Sequence, residues 1–219
     1  NWRHRPNRDA AKWLIQEVWP LVRKDLPDAL LNVYGANQTP EDAALHDVSI
    51  GAQVQGYCRS VPAAMQRHLL LVAPLRYGAG VKGKVLEALQ HGLVVVTTAV
   101  GIEGIASAES FPGYVATAQD PAEFASVVVQ ALQDQQRWEV TQKEGFSLMA
   151  RDFDEIEVRR KLREFLQARW SNLLEDRKRD YVGQMLWHSS LRSTELMAKY
   201  LAAKEDSRKW KALSQRGNA

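Results

Sequence analysis

Two hydrophobic patterns alternate over the first 150 residues of the chain. The first has apolar residues three and four positions apart, and after Pro6 it predicts an amphipathic helix that ends before Pro27. The second is a short, continuous apolar run, which predicts a buried strand. Runs of this kind lie at 30–35, 69–74 and 93–98, with a weaker strand predicted at 54–57 and a short one at 114–116.

Helical patterns separate these predicted strands. They lie at 61–68, 81–90 and 121–132, and the polar segment 38–47 is predicted as a loop. Short apolar strands separated by helices are typical of a parallel sheet covered on both faces. Right-handed crossovers then build a doubly wound arrangement. The predicted fold class is therefore α/β: a doubly wound Rossmann-like parallel sheet, followed by a long helical C-terminal extension.

The pattern changes at Asp152. Residues 152–172 predict one charged helix, residues 175–180 form a dense patch of mixed charge, and residues 181–213 predict another long helix. Two helices without an intervening strand cannot extend a sheet. We therefore expect two domains: a Rossmann-like domain over residues 1–150 and a charged helical extension over residues 151–219.

Composition indicates a globular protein. Of the 219 residues, 45% are hydrophobic and 25% are charged, which excludes disordered, collagenous and disulfide-scaffold chains. No apolar run approaches the ~18–20 residues of a transmembrane helix. The single cysteine, Cys58, cannot form an internal disulfide and suits a reducing compartment. We therefore expect a soluble, cytoplasmic protein.

The net charge of +3 conceals a difference between the two predicted domains. Residues 1–150 contain 13 basic and 15 acidic residues, a net charge of −2, whereas residues 151–219 contain 16 basic and 11 acidic ones, a net charge of +5. A basic segment could contact phosphates or the surface of an anionic membrane, as a peripheral attachment. The acidic residues interleaved along it favour a solvated helical face instead.

The stretch 73–89 has the residue types of an anion site. A buried strand is followed by a loop with Gly78 and Gly80, and the next helix carries Lys84 and Glu87. Glycines let the backbone approach a ligand closely, and a helix start presents unpaired amides to an anion. In doubly wound folds the ligand crevice lies at the carboxyl ends of the strands, where this loop falls. Amides and an ammonium group for a diphosphate, with a carboxylate for ribose hydroxyls, predict a nucleotide-diphosphate site.

A purely structural interpretation of the same residues stays open. The helix could begin with glycine for flexibility, and Lys84 and Glu87 could form a surface pair. The loop matches neither the P-loop nor the Gly-x-Gly-x-x-Gly dinucleotide fingerprint. Elsewhere, His188 has no acidic or cysteine partner at metal-ligand spacing, so we expect no metal site.

Several motifs follow one another in order along residues 1–150. The sequence reads PNRDA at 6–10, APLRYGAG at 73–80, KVLEAL at 84–89, HGLVVVTT at 91–98 and GIEG at 101–104. Together these motifs resemble the donor-binding domain of glycosyltransferase family 4 (glycosyl transferases group 1). The resemblance covers about two thirds of the chain and leaves the charged extension outside it.

The resemblance implies a GT-B fold, in which two Rossmann-like domains face each other across a cleft and the C-terminal one holds the nucleotide sugar. It implies retaining transfer of a sugar from a nucleoside-diphosphate donor to an unidentified acceptor, usually without a metal or other cofactor. This chain would supply the donor-binding half. The N-terminal acceptor domain, and the first strand of the donor-binding domain, are expected to precede Asn1.

Residue roles carry over from this resemblance motif by motif. Glu87 is expected to bind the ribose and Tyr57 to lie at the nucleobase. The diphosphate is expected to lie against Gly78, Ala79, Gly80, Lys84, Arg3 and Arg5. Ala79 stands where the family has the first Glu of its Glu-x7-Glu pair, so no catalytic residue is assigned.

Two other functions stay open at this point. The chain could be a non-catalytic nucleotide-sugar-binding or scaffold module whose basic helical segment docks a partner. A nucleic-acid or membrane-surface role for that segment is a weaker alternative. Because the segment contains no RNA-binding signature, nucleic acid is not an expected partner.

Overall fold

A computed structural model describes the backbone of residues 1–216 and the side chains of residues 1–206. The chain divides into two units, Asn1–Asp154 and Glu155–Ala219. Unit 1 contains both sheets and the helices packed on them. Unit 2 is helical throughout its described part.

Unit 1 opens with a long helical segment. Helix α1 (Arg5–Trp13) continues through a π-helical turn (Leu14–Val18) into α2 (Trp19–Asp25). Pro6 lies in the first turn of α1, where its missing N–H costs no hydrogen bond. The helix therefore begins earlier than the apolar stripe alone predicts, and it ends before Pro27 as expected. The apolar residues of the π-helical turn are all buried: Leu14, Ile15 and Val18.

Five parallel strands follow, and they form two sheets rather than one. Strand β1 (Leu31–Tyr34) pairs with β2 (Ala52–Gly56). Strand β3 (Leu70–Ala73) pairs with β4 (Val94–Thr97), which pairs with β5 (Tyr114–Val115). The connecting helices are α3 (Pro40–Ala43), α4 (Val61–Met65), α5 (Gly83–Gln90), α6 (Ala99–Ile102), α7 (Pro121–Gln133) and α8 (Gln135–Asp152). The prediction of parallel strands alternating with helices is confirmed.

Helices cover both faces of the three-stranded sheet. Val94 and Val96 of β4 are fully buried in a cluster with α1, α2 and α7, in which Phe124 and Trp13 meet edge to face with ring centroids 5.5 Å apart. Val95 points to the opposite face, into a second cluster built mainly from α5 and α8. Because every residue of β4 is buried, its continuous apolar run is explained by burial on both sides.

A slot separates the two sheets. Within the described residues, β1 pairs only with β2, and β3 pairs only with β4. Both strands line one cleft of about 780 Å³, whose remaining lining is mostly apolar. Strand order therefore runs β2–β1, then the slot, then β3–β4–β5. In the doubly wound order 3-2-1-4-5-6, this gap occupies the position of strand 1.

Three sequence-based predictions about elements are corrected. The segment 38–47 contains the short helix α3, because Thr39 and Asp42 form a capping box and Asp42 is buried. The helix predicted at 61–68 ends at Met65. Residues 135–151, for which no element was predicted, form most of α8, so Asp152 ends a helix and does not begin one.

Unit 2 consists of helices α9 (Glu155–Ser171), α10 (Leu173–Arg179) and α11 (Tyr181–Arg216). The mixed-charge patch at 175–180 therefore lies almost wholly within a helix. Exposed ion pairs join residues one helical turn apart, such as Arg160 with Glu164 on α9 and Lys199 with Glu195 on α11. Among the described residues, no helix is long and apolar enough to span a membrane.

A buried ion pair fixes α1 against α3. The Arg8 Nε atom donates to Asp42 Oδ1 at 2.6 Å, and the Asp42 side chain is only 1% exposed. Burial opposes ionisation of this carboxyl, but hydrogen bonds from the Thr39 backbone, Arg8 and the Thr39 hydroxyl outweigh it and lower its pKa. The pair thus ties the first helix of the unit to the segment that follows β1.

We expect Asp42→Asn to lower the free energy of unfolding at neutral pH by about 1–3 kcal/mol, because the variant removes a charge-assisted buried contact. Since the folded pKa of Asp42 lies below the unfolded value of about 3.9, this contribution is present above pH ~4 and is lost as the pH falls through the folded pKa. Urea denaturation from pH ~6 to ~2 measures the difference. Asp28→Asn, at an exposed carboxyl, should stay within about 0.5 kcal/mol of the unsubstituted protein. A wild-type–variant difference that stays constant down to the lowest pH contradicts this account.

Candidate functional site

The cleft between the sheets extends to the carboxyl ends of β1 and β3. Residues following these strands, Gly35 and Pro74, line it together with Asn7 of α1. Lys84 and Glu87 of α5 line the same cleft. The crevice of a doubly wound sheet is expected at this edge, so the fold brings the two predicted ligand-binding side chains to it.

The glycine-rich loop lies between β3 and α5 and has an unusual backbone. Gly78 has φ 140° and Gly80 has φ 75°, values that residues with a side chain rarely adopt. The Gly78, Ala79 and Gly80 amides donate no hydrogen bond to any described residue. These three residues are exposed and do not line the cleft itself. They belong to the loop that leads into α5, the helix of Lys84.

Lys84 is the central cation of the cleft. It lies in the first turn of α5, and its Nζ atom donates to Asn7 Oδ1 at 2.7 Å. Burial lowers the pKa of this ammonium group, and the charge of Lys82 lowers it further. Within the described part of the chain no carboxylate pairs with Lys84, although Glu87 follows it on the same helix. A partly buried ammonium group without a counter-ion is suited to an anionic ligand.

Glu87 lies one turn after Lys84 on α5 and is exposed at the cleft. Its carboxylate forms no hydrogen bond or ion pair with another described residue, so both oxygens are free to accept from a ligand. The structure thus brings Lys84 and Glu87 together, at the spacing that the sequence indicates.

The other predicted residues differ in their relation to the cleft. Tyr57 lines it, with 74% of its surface exposed, directly after Gly56, whose φ is 74°. Arg3 and Arg5 are exposed and do not line it. The binding roles of all these residues stay predictions.

Sequence reasoning missed the polar partners that support the loop. Asp9 of α1 accepts two hydrogen bonds from Arg76, at 2.8 and 2.5 Å. Lys82, only 10% exposed at its side chain, donates to the Gly80 carbonyl oxygen and pairs with Glu103 at 3.3 Å. The available signal was Asn7 and Asp9 within the PNRDA motif, but contacts across 67 or 77 residues cannot be read from spacing.

No group of three or more His, Cys, Asp or Glu side chains that could hold a metal ion occurs among the residues described. The charged side chains that line the cleft in this part of the chain are those of Lys84, Arg67 and Glu87, and the His68 imidazole lines it too. Its cations are suited to a phosphorylated ligand.

The family comparison agrees with this geometry. The family described as "Glycosyl transferases group 1" matches residues 2–134, more than half of the chain and nearly all of unit 1. The chain therefore belongs to the glycosyl transferases group 1 family.

One curated relative and several solved structures are similar to parts of the chain. An "Uncharacterized 44.6 kDa protein in cps region" of Klebsiella pneumoniae is 27% identical over 99 residues, which cover 42% of this chain and 26% of that protein. The chain thus spans about a quarter of this relative.

Among solved structures, TarM of S. aureus has a TM-score of 0.62 at 15% identity, with 73% of this chain and 32% of that one covered. HepE of Anabaena, solved with UDP, has a TM-score of 0.59 at 13% identity and coverages of 69% and 44%. The C-terminal domain of LpcC, a glycosyl transferase group 1 family protein from Francisella tularensis, has a TM-score of 0.55 at 17% identity and coverages of 68% and 82%. These similarities confirm the fold class, a Rossmann-like domain of the GT-B type.

Two alanine substitutions test the conformation of the glycine-rich loop. A Cβ added at Gly80 or at Gly83 meets no atom within 4 Å, but only Gly80 has a positive φ. We expect Gly80→Ala to lower the free energy of unfolding by about 1–2 kcal/mol through backbone strain. Gly83→Ala, in the first turn of α5, should be neutral or stabilising by up to about 1 kcal/mol. Equal unfolding midpoints in urea for the two variants would show that the loop does not hold this conformation.

Proposed function

We propose that this chain is the donor-binding half of a retaining glycosyltransferase that uses a nucleoside-diphosphate sugar. One observation carries the proposal: Lys84, an ammonium group without a carboxylate partner among the described residues, lies in the cleft at the carboxyl ends of the strands. Glu87 lies one turn away with free oxygens, and the loop that leads into the same helix has unpaired amides at residues 78–80.

Each of these groups has a distinct part in the proposed reaction. The bond between the anomeric carbon and the diphosphate oxygen breaks, a bond to the acceptor oxygen forms on the same face of the sugar, and the proton of the acceptor hydroxyl passes to the departing diphosphate. Negative charge then grows on the leaving diphosphate, where Lys84 and the Gly78–Gly80 amides stabilise it. Glu87 accepts hydrogen bonds from the ribose hydroxyls, and Tyr57 lies at the nucleobase. Arg3 and Arg5 are further candidates for the phosphates.

Removing the negatively charged diphosphate from water is the main electrostatic cost of binding. We infer that Lys84, Lys82 and the loop amides offset it, so that neither a metal ion nor another cofactor is needed. Binding measured with EDTA and then with added Mg²⁺ tests this inference. Tighter binding with Mg²⁺ than with EDTA would contradict it.

The choice of UDP as a probe comes from the structural neighbours. HepE was solved with UDP and with UDP and glucose, and a pneumococcal O-GlcNAc transferase, GtfA, with UDP and GlcNAc. These ligands belong to those proteins. Their occurrence in two related folds makes UDP the first nucleotide to test with this chain.

We further propose that unit 1 works with additional polypeptide. Acceptor binding needs a second wall opposite the donor site, which we assign to an N-terminal GT-B domain. Both walls of the slot between β1 and β3 are strand edges, so we infer that one parallel strand fills it and leaves the donor site at its carboxyl end, beside Lys84 and Glu87. Asn1 and Trp2 lie at the carboxyl end of the slot, where the Trp2 N–H donates to the Ala36 oxygen at 3.0 Å. A strand joined to Asn1 would thus run parallel to both neighbours.

A non-catalytic role is the second candidate, and Ala79 favours it. This position carries only a methyl group where the resemblance expects a carboxylate. A nucleotide-sugar-binding or scaffold module would bind a UDP-sugar without hydrolysing it or transferring its sugar. Assay of UDP release from UDP-sugars by the full-length protein separates the two functions. The location of the protein in the cell, and a role for the basic unit 2 at a partner or membrane surface, stay predictions.

Lys84→Ala tests the donor site directly. We expect it to weaken UDP binding by about 1.5–3 kcal/mol, the range for hydrogen bonds to charged groups. Glu87→Gln should weaken binding less, because the amide oxygen still accepts from a ribose hydroxyl. Isothermal titration measures both. Lys143→Ala, which removes an exposed lysine of α8, is the matched control and should bind as the unsubstituted protein does. Unchanged affinity in Lys84→Ala would refute the assignment.

Amide hydrogen exchange tests the slot. The Leu31 N–H bonds to the Gly51 oxygen, and the Val94 N–H bonds to the Leu69 oxygen, so by alternation Tyr34 and Val72 present their amides to the slot. We expect these two amides to exchange faster than the fully buried β4 amides. Extending Asn1 with a short Val- and Ile-rich segment should protect them by about tenfold or more. Protection that does not change on extension contradicts the proposed strand.

A further inference from the structure

Helix α1 contacts the glycine-rich loop and α5 through three residues near its start. Pro6 lies near Gly78, so that a Cβ built on Gly78 would be 3.8 Å from the Pro6 Cβ. Asn7 accepts a hydrogen bond from Lys84, and Asp9 binds Arg76 through two. These contacts give α1 a role at the diphosphate site, a role that rests on the proposed function.

We propose that Asn7 is a positioning residue, which holds the Lys84 ammonium group in the cleft through its side-chain oxygen while leaving the positive charge available to the diphosphate. The hydrogen bond between Lys84 Nζ and Asn7 Oδ1 is 2.7 Å long and partly buried. Asn7 itself lines the cleft, so its side-chain amide would lie beside a ligand bound there.

The neutrality of Asn7 is what makes the contact useful. A lysine side chain loses rotamer freedom when it is fixed, and an acceptor already in place bears that loss before the ligand arrives. A carboxylate at this position would fix the ammonium group equally well. It would also neutralise the charge and compete with the diphosphate for it.

The charges around Lys84 are consistent with this role. From the start of α5 it is faced by Lys82, whose charge lowers the Lys84 pKa further than burial alone does, and Glu87 lines the same cleft. This neighbouring cation favours an anionic ligand over a further positive group. Glu87 forms no contact with Lys84 in the described structure, so the amide of Asn7 is the group that holds it.

The backbone of Asn7 is fixed independently of its side chain. Arg8 on one side of it pairs with buried Asp42, and Asp9 beyond it pairs with Arg76 of the loop. The Asn7 N–H donates to the His4 oxygen at 3.0 Å, within the first turn of α1. A substitution at Asn7 therefore changes the contact with Lys84 without removing the ties that hold α1.

Comparison of Asn7→Ala with Asn7→Asp tests the proposal. Asn7→Ala leaves Lys84 charged but unheld, so UDP binding should weaken about 3–10-fold. Asn7→Asp should weaken it more, about 10–100-fold, although thermal stability should equal or exceed that of the unsubstituted protein, because a new ion pair forms. A purely structural role predicts the reverse order, since aspartate is the closer replacement. Asn172→Asp, the same change at an exposed position of unit 2, should bind UDP normally.

A second measurement does not depend on the ligand. Titration of the Lys84 side chain by NMR should show that Asn7→Asp raises the Lys84 pKa by about one to three pH units, and that Asn172→Asp leaves it unchanged. An unchanged Lys84 pKa in Asn7→Asp, or UDP binding by that variant as tight as by Asn7→Ala, overturns the positioning role. If the unsubstituted protein does not bind UDP, the proposed function fails, whereas the pKa still decides whether Asn7 holds Lys84.

Discussion

Packing by one helical layer holds the two sheets of unit 1 together. In the described part of the chain, β1 and β2 share no strand pairing with β3, β4 and β5. The segment Arg5–Asp25 and helix α7 instead bury residues of both sheets in one cluster, which includes Leu31 of β1 and Val94 of β4. Apolar burial is non-directional, so it can join sheets that no backbone ladder connects.

The same helical segment shapes the candidate site. Its first turns carry the side chains that reach α5, the glycine-rich loop and α3, while its later turns lie in the core. Loss of core packing would therefore move the polar contacts as well. In this way the stability of the unit and the geometry around Lys84 depend on one element, and the loop with positive φ is held at both ends by side chains from elsewhere.

The electrostatics of the site centre on Lys84, which has no carboxylate partner among the described residues. Lys84 is partly buried beside Lys82 and receives a neutral partner, and the loop amides have no acceptor in the described part of the chain. In the proposed function, a phosphorylated ligand supplies the counter-charge to Lys84. Membership of the glycosyl transferases group 1 family is consistent with this chemistry. The charged helices of unit 2 lie outside the family match.

The sequence by itself determined the fold class, most of the strands and the two side chains that meet at the cleft. Continuous apolar runs such as Val94–Thr97 are buried on both faces, and Lys84 and Glu87 are neighbours on one helix whatever surrounds it. Only the tertiary structure decided the split into two sheets, helix α3 and the partners Asn7 and Arg76. The sequence predicts that Asp42 lies in a loop, and only the fold brings Arg8 to it. Likewise, Asn7 lies 77 residues from Lys84 along the chain. Local periodicity reports which face of an element is buried, but contacts between distant residues arise from how the elements pack, and no spacing along the chain encodes them.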